Sequence, residues 1–286
     1  MKPASFEYSD PTRLEDALSL LRDFGPEAKV LAGGQSLVPL MNMRLARPKY
    51  LVDINKIAEL DYIRADDGGL AIGALTRERS VERSSLVQAR CPLLFEAVPL
   101  IAHPPIRNRG TIGGSLAHAD PAAELPAVMV AIGAEIVAQG PAGERGIKAE
   151  DFFITYLTTA LEPAEILKEI RIPPWPANTG WAFVELARRH GDMAIVGVAA
   201  TLTLDAGVCR GARIVVTGSG GTPIRARQAE AVLAGQRPSD ELFQQAGQKA
   251  GEEVEPDDDI HASADYRRHL AQVLTRRALL AALEKV

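Results

Sequence analysis

The strongest constraint in the sequence is a pair of adjacent-glycine motifs about eighty residues apart. The first reads AGGQSL at 32–37 and the second reads TIGGSLA at 111–117. Adjacent glycines let the backbone adopt positive φ and approach a ligand closely, because no Cβ is in the way. Successive N–H groups in such a turn form a concave site for an anion such as a diphosphate. The two motifs together predict one ligand with a central diphosphate, held from two sides.

Composition narrows the classes of function. The net charge of −5 argues against a general nucleic-acid binder, since such a protein needs a basic surface to displace counterions. Two cysteines, Cys91 and Cys209, are too few for an iron–sulfur cluster or a four-cysteine zinc site built by this chain alone. No apolar run reaches the roughly 20 residues of a membrane span, and the N-terminus lacks the apolar core of a signal peptide. We therefore expect a cytoplasmic protein with no bound metal, no nucleic-acid partner and no transmembrane segment.

A proline-rich segment, PPWP at 173–176, predicts a domain boundary because prolines cannot continue a helix or a central strand. Before it, turn residues between apolar runs predict a β-hairpin at 61–75, and an apolar run predicts a helix from about Pro92 to Ala102. After it, three strands precede three helices, an order typical of a separate α+β domain. The strands are expected at 181–186, 196–204 and 208–217, and the helices at 226–233, 239–251 and 264–285. The predicted domains are therefore 1–176 and 177–286.

Two other stretches and the histidines resemble functional motifs only in part. GSGGTP at 218–223 imitates a dinucleotide fingerprint, but its third glycine is Pro223 and no βαβ unit precedes it, so a turn is favoured. The acidic run at 252–259 lacks the spacing and the glycine of a calcium loop and is typical of a solvated loop. The histidines have neither partner cysteines nor HExxH spacing, so metal ligation is not expected.

Three stretches carry a resemblance to a known family: AGGQSLVPLMNMRLARP at 32–48, IRNRGTIGGSLAHADPAAELP at 106–126 and ARRHGDMAIVGVAA at 187–200. They resemble the FAD-binding medium subunit of the molybdenum hydroxylases, within the xanthine dehydrogenase and aerobic carbon monoxide dehydrogenase family. The resemblance implies an α+β fold with an FAD-binding domain of the vanillyl-alcohol-oxidase-like (PCMH) type, made of two α/β subdomains. A smaller α+β C-terminal domain, with a three-stranded antiparallel sheet and helices, would follow it.

The resemblance also implies where a non-covalently held FAD contacts the chain. Backbone amides of the first motif would hold the diphosphate, an apolar contact would shield the isoalloxazine ring, and a carboxylate would meet the adenosine ribose. No residue of the chain is expected to be catalytic. The implied cofactor-binding residues are Lys29, Ala32, Gly33, Gly34, Gln35, Ser36 and Leu37 in the first motif, Thr111, Gly113, Gly114, Ser115 and Ala117 in the second, Ile101, Ala102 and Leu161 at the ring, and Glu124, with Asp120 as the weaker candidate, near the ribose.

Four residues near these motifs leave alternatives open. Relatives often carry a lysine near position 185 that approaches the polar edge of the flavin; here Glu185 either replaces that contact or faces solvent at a strand end. His118 either contacts the cofactor or is a polar turn residue. Arg107 and Arg109 either add positive charge near the diphosphate or form a docking surface for a partner.

The family resemblance implies an electron relay. Substrate is oxidised at a molybdenum cofactor on a large subunit, electrons cross two [2Fe–2S] clusters on a small subunit, and they reach FAD on this chain, within a dimer of heterotrimers. Two alternatives are a free-standing FAD-dependent oxidase or reductase of the same superfamily and a scaffold subunit without cofactor. Neither the substrate of the complex nor the final electron acceptor can be read from this chain.

Overall fold

The computed structural model describes all residues from 1 to 286. The first sixty residues form a small parallel sheet with β3 in its centre, in the order β1-β3-β2. Leu14, Ala17 and Leu21 on one face of the first helix pack with Val52 of this sheet. The elements are β1 (Glu7–Ser9), α1 (Leu14–Phe24), β2 (Ala28–Leu31), α2 (Leu37–Asn42) and β3 (Tyr50–Asp53), with short 3₁₀ turns at Gly25–Glu27 and Ala58–Leu60.

Residues 61–176 form a five-stranded antiparallel sheet in the order β4-β5-β10-β6-β7. The strands are β4 (Ile63–Asp66), β5 (Gly69–Gly73), β6 (Glu135–Gly140), β7 (Gly143–Lys148), the short pair β8 (Phe153–Thr155) and β9 (Thr158–Thr159), and β10 (Ile166–Ile172). The helices are α3 (Glu78–Glu82), α4 (Ser85–Arg90), α5 (Pro92–Ala97), α6 (Pro104–Arg107), α7 (Ile112–His118), α8 (Glu124–Ile132) and α9 (Ala149–Phe152). The hairpin predicted at 61–75 is confirmed as β4 and β5.

The helix predicted from Pro92 to Ala102 is too long. The helix α5 ends at Ala97, and a 3₁₀ turn at Val98–Leu100 follows it. Pro99 lies in that turn, where it has no N–H to donate to the preceding turn of an α-helix. Ala102 then adopts φ +41°, which lies outside helical geometry. This early stop frees Ile101 and Ala102 from the helix and places them in a loop.

The C-terminal part contains a four-stranded antiparallel sheet in the order β11-β12-β13-β14. The three predicted strands are present, and a strand of only two residues joins the edge after them. The elements are β11 (Thr179–Leu186), β12 (Val196–Asp205), β13 (Val208–Thr217), β14 (Ile224–Arg225), α10 (Arg227–Leu233), α11 (Asp240–Glu253) and α12 (Ala264–Leu283). The three predicted helices agree with α10, α11 and α12 to within about two residues at each end.

The C-terminal sheet packs on both of its faces. One face contributes Val198 and Ile214 to an apolar cluster with the helices α11 and α12. The other face contributes Phe183, Ala199 and Val215 to the cluster that contains α8 and the five-stranded sheet. The two parts of the chain therefore meet across a shared apolar layer, which fixes the loops at their junction. None of the helices is both long and apolar enough to cross a bilayer.

Candidate functional site

All of the residues that the resemblance assigns to the cofactor line one cavity of about 670 Å³. Its walls are the loop after β2, the loops around α6 and α7, and the segment after β9. The C-terminal part also contributes, because Gly191, Asp192 and Met193 in the loop after β11 line the same space. A Cβ on Gly191 would lie 2.7 Å from the Ala102 carbonyl oxygen, so this loop lies directly against the Ile101–Ala102 loop.

The first motif presents a row of free backbone donors. The N–H groups of five consecutive residues, 33 to 37, donate no hydrogen bond to any acceptor of the chain, and all five residues line the cavity. The side-chain amide of Gln35 donates to the Gly33 carbonyl (2.8 Å), and that of Asn55 donates to the Ala32 carbonyl (2.8 Å), which holds the loop in shape. Unsatisfied N–H groups are costly unless a ligand or water accepts from them. The row therefore fits a diphosphate.

Close packing against neighbouring segments explains why two positions of the motifs, Gly33 and Gly113, have no room for a side chain. A Cβ on Gly33 would lie 2.4 Å from the Arg109 carbonyl oxygen and 2.9 Å from the Cα of Gly110. A Cβ on Gly113 would lie 2.5 Å from the Cβ of Ala74. All three distances are shorter than the contacts that real Cβ atoms make. The two motifs are therefore adjacent in space, since the first packs directly on the residues that lead into the second.

The second motif differs from the first in the hydrogen-bond donors that it presents to the cavity. The Thr111 hydroxyl accepts from the N–H of Gly114 (3.0 Å) and caps α7, while the N–H groups of residues 112, 113 and 115 donate to carbonyls of the chain. The Ser115 hydroxyl makes no hydrogen bond within the chain. This motif therefore contributes a surface without Cβ atoms and a free hydroxyl group rather than a second row of free amides.

Arg107 is a structural clamp. Its guanidinium group donates to Glu82 (3.0 and 3.3 Å) and to the carbonyls of Ile101 (2.7 Å) and Ala102 (3.2 Å). It is buried, and it does not line the cavity. Because it is buried and makes four hydrogen bonds within the chain, Arg107 does not form an exposed docking surface; its positive charge acts on Glu78 in the cavity wall. Arg109 is exposed, makes no ion pair and also lies outside the cavity lining.

Sequence reasoning missed Glu78, which lies in the cavity wall. Its side chain is 5% exposed, and its Oε2 atom is buried without a hydrogen-bond partner. Burial raises the pKa of Glu78 to about 8, with Glu124 as the next cause and Arg107 opposing it. Burial likewise raises the pKa of Glu124 to about 7. A glutamate in the first turn of a helix is common in sequences, so no local signal marks Glu78 as a cavity residue.

Glu185 does not face solvent. Its Oε2 atom is buried and unpaired, and burial, followed by the charge of Glu124, raises the pKa of Glu185 to about 7. It does not line the cavity, whereas His118 does. No group of three or more His, Cys, Asp or Glu side chains is arranged to hold a metal ion.

The fold and the cavity define a class: an α+β protein without a Rossmann domain, with a cavity whose free loop amides fit a diphosphate. Residues 4–175 match the family described as the FAD binding domain in molybdopterin dehydrogenase. Residues 181–282 match the CO dehydrogenase flavoprotein C-terminal domain.

Individual relatives match over nearly their whole length. The chain is 46% identical over 286 residues to the alpha subunit of the 6-hydroxypseudooxynicotine dehydrogenase complex of Paenarthrobacter nicotinovorans, covering 100% of this chain and 97% of that protein. It is 41% identical to the carbon monoxide dehydrogenase medium chain of Hydrogenophaga pseudoflava, covering 99% and 98%. A solved structure of carbon monoxide dehydrogenase from the same organism superimposes with a TM-score of 0.97 at 43% identity, covering 99% of each chain.

The chain belongs to the family of FAD-binding subunits of molybdenum-containing dehydrogenases. It is an oxidoreductase subunit of a multi-subunit complex, and its cofactor is FAD. The family and the fold class expected from the sequence are confirmed.

Proposed function

We propose that this chain receives electrons from the [2Fe–2S] clusters of a partner subunit and passes them through FAD to an external acceptor. FAD supplies the redox chemistry, because it accepts single electrons and releases them in pairs. The chain's own residues bind, orient and shield the cofactor. The observation that carries the proposal is the row of five free N–H groups in the cavity wall.

The lining residues suggest which part of FAD each of them contacts. The N–H groups of residues 33 to 37 donate to the diphosphate oxygens, and the Ser115 hydroxyl donates from the adjacent second motif. Glu124 accepts from the ribose hydroxyls, with Asp120 beside it, although the Asp120 carboxylate already accepts from the N–H of Ala122 (2.9 Å). Ile101 and Leu161 shield the ring. No residue of the chain acts on the organic substrate.

We further propose that the functional unit is a dimer of heterotrimers with one large molybdenum subunit and one small iron–sulfur subunit per copy of this chain. The support is full-length similarity to proteins named as subunits or medium chains.

We also propose a cytoplasmic location, supported by two cysteines, Cys91 and Cys209, that are buried free thiols. The relatives differ in their named substrates, which supports a substrate pocket on another chain.

We propose that the domains are 1–176 and 177–286. A cluster of 21 buried residues, running from Ala182 to Ala282, gives the second unit a core of its own. The first unit contains the other elements of the cavity wall. The loop at 191–193 would then close the cavity from the second domain.

The test begins with the complex purified with its partners. We expect a flavin absorption spectrum and release of free FAD by acid, because the cofactor is held without a covalent bond. A colourless complex that takes up no added FAD would end the flavoprotein proposal. A chain that, without partners, oxidises an organic substrate at the full rate of the complex would end the relay proposal and favour a free-standing enzyme.

A glycine variant tests the cavity assignment. In Gly114→Val the new Cβ lies 2.7 Å from the Thr111 hydroxyl, and its methyl groups enter the cavity. We expect loss of FAD from a chain that still folds. The matched control is Gly211→Val, because a Cβ on Gly211 meets no atom within 4 Å. Equal FAD content in both variants would show that the second motif is misassigned.

A further inference from the structure

The charges of the cavity wall do not match a diphosphate at first sight. Lys29 is the only lysine or arginine in the wall, and its side chain is exposed. Five carboxyl groups face it in the same wall: Glu78, Asp120, Glu124, Glu165 and Asp192. An anionic ligand among ionised carboxylates would be repelled strongly, because the cavity screens charges less than water does. Some of these groups must therefore be paired or neutral.

Three of the five are accounted for by their surroundings. Arg145 binds Glu165 with two hydrogen bonds (2.7 and 2.8 Å), which lowers the pKa of Glu165. Asp120 accepts from a backbone N–H, and Asp192 is exposed to solvent. Glu78 and Glu124 remain, and both are buried without a cation.

Glu78 has no partner for a negative charge. Its carboxyl group packs against Gly110, where an added Cβ would lie 2.4 Å from Oε2. Arg107, whose charge opposes the rise in the pKa of Glu78, makes no ion pair with Glu78; it bonds Glu82 and two carbonyls instead, and Glu82 is also bound to Arg79 (2.7 Å). From α8, Glu124 faces Glu78 with a like charge. Two further carboxyl groups, Glu185 on β11 and Asp120, lie near Glu124: the charge of Glu124 raises the pKa of Glu185, and the charge of Asp120 raises the pKa of Glu124.

We propose that Glu78 is a cofactor-binding residue that acts in its protonated form, so that FAD and a proton bind the subunit together. The inference rests on the proposed FAD-binding function. A neutral carboxylic acid has an O–H donor as well as acceptor oxygens, whereas a carboxylate only accepts. In this cavity, the protonated group adds a donor to the wall and removes a charge that would repel the diphosphate.

The proposal makes FAD binding depend on pH. Without cofactor, Glu78 loses its proton at a pH near 8. A bound diphosphate raises the pKa of Glu78 further, because it adds negative charge to the same cavity. Above about pH 8 the subunit must then take up one proton at Glu78 for each FAD, which weakens binding about tenfold per pH unit.

The test compares the FAD-free complex with its Glu78→Gln variant, because glutamine has the shape of the neutral acid and keeps an N–H donor. FAD affinity is measured by quenching of flavin fluorescence between pH 6 and 9.5. Proton uptake is measured by calorimetry in two buffers of different ionisation enthalpy. We expect similar affinities at pH 6, and a slope of log Kd against pH that is smaller by about one unit in the variant above pH 8.

Glu165→Gln is the matched control, since it removes a carboxylate of the same wall that Arg145 keeps ionised; we expect it to retain the wild-type slope. If Glu78→Gln does not fold, Glu78→Met carries the same comparison, because it has similar volume and no charge. Equal slopes for wild type and the Glu78 variant, or a wild-type affinity that is constant to pH 9.5, would overturn the proposal. Absence of FAD binding by the wild type at every pH would instead overturn the proposed function.

Discussion

The substitution Gly33→Ala should separate the two glycine motifs with a single methyl group. The new Cβ would lie 2.4 Å from the Arg109 carbonyl oxygen, about 1 Å short of the 3.4 Å at which ordinary contact begins. The obstacle is backbone on both sides, so no side chain can turn away to relieve it. Overpacking of this kind costs about 1–3 kcal/mol of folding free energy.

The same shift should weaken cofactor binding. A displacement of about 1 Å takes one or two N–H groups of the first motif out of reach of the diphosphate. Each hydrogen bond to a charged oxygen contributes about 1.5 kcal/mol, so FAD affinity should fall about 10- to 100-fold. FAD titration and denaturant unfolding of the FAD-free chain measure the two effects. Gly211→Ala, which adds the same methyl group in open space, is the control. If both variants have the same affinity and stability, the close packing of the motifs has no role in holding the cofactor.

Two further predictions concern stability. Glu78 keeps its proton in the folded chain up to about pH 8 but loses it near pH 4.5 when the chain is unfolded, so the free energy of unfolding should fall across that range by up to about 5 kcal/mol. Denaturant unfolding at several pH values should show a smaller fall in Glu78→Gln than in the wild type. Equal falls in the two proteins would contradict the assignment. Arg107→Met should cost about 3 kcal/mol and lower FAD content, because it leaves two loop carbonyls without their donor and Glu82 with Arg79 as its remaining cation. An unchanged melting temperature would show that the clamp is dispensable.

Local chemistry explains why much of the architecture could be predicted. The hairpin at 61–75 is specified by its turn residues, and the strands at 196–204 and 208–217 by their apolar runs. The helix from Pro92 was predicted too long because its apolar pattern continues past Ala97, while Pro99 ends it. The apolar pattern favours a longer helix there, but Pro99 has no N–H to donate to the preceding turn, so the helix ends earlier.

The candidate site was predictable only as a set of positions. The glycine motifs and the family resemblance pointed to residues that do line one cavity. Their individual roles were not predictable, because each depends on what another segment does. Arg107 looked available for a ligand until its contacts with Glu82 and the Ile101–Ala102 loop were known.

By itself, the sequence determined where the backbone lacks side chains, where prolines end elements, and which family the chain belongs to. Those properties are local, or depend on residue types in order along the chain. Only the tertiary structure decided that the amides of the first motif are free while those of residues 112–115 in the second are bonded within the chain, and that Glu78 is buried without a cation. Hydrogen bonding and charge depend on groups brought together from distant segments, and no local pattern specifies such a neighbour.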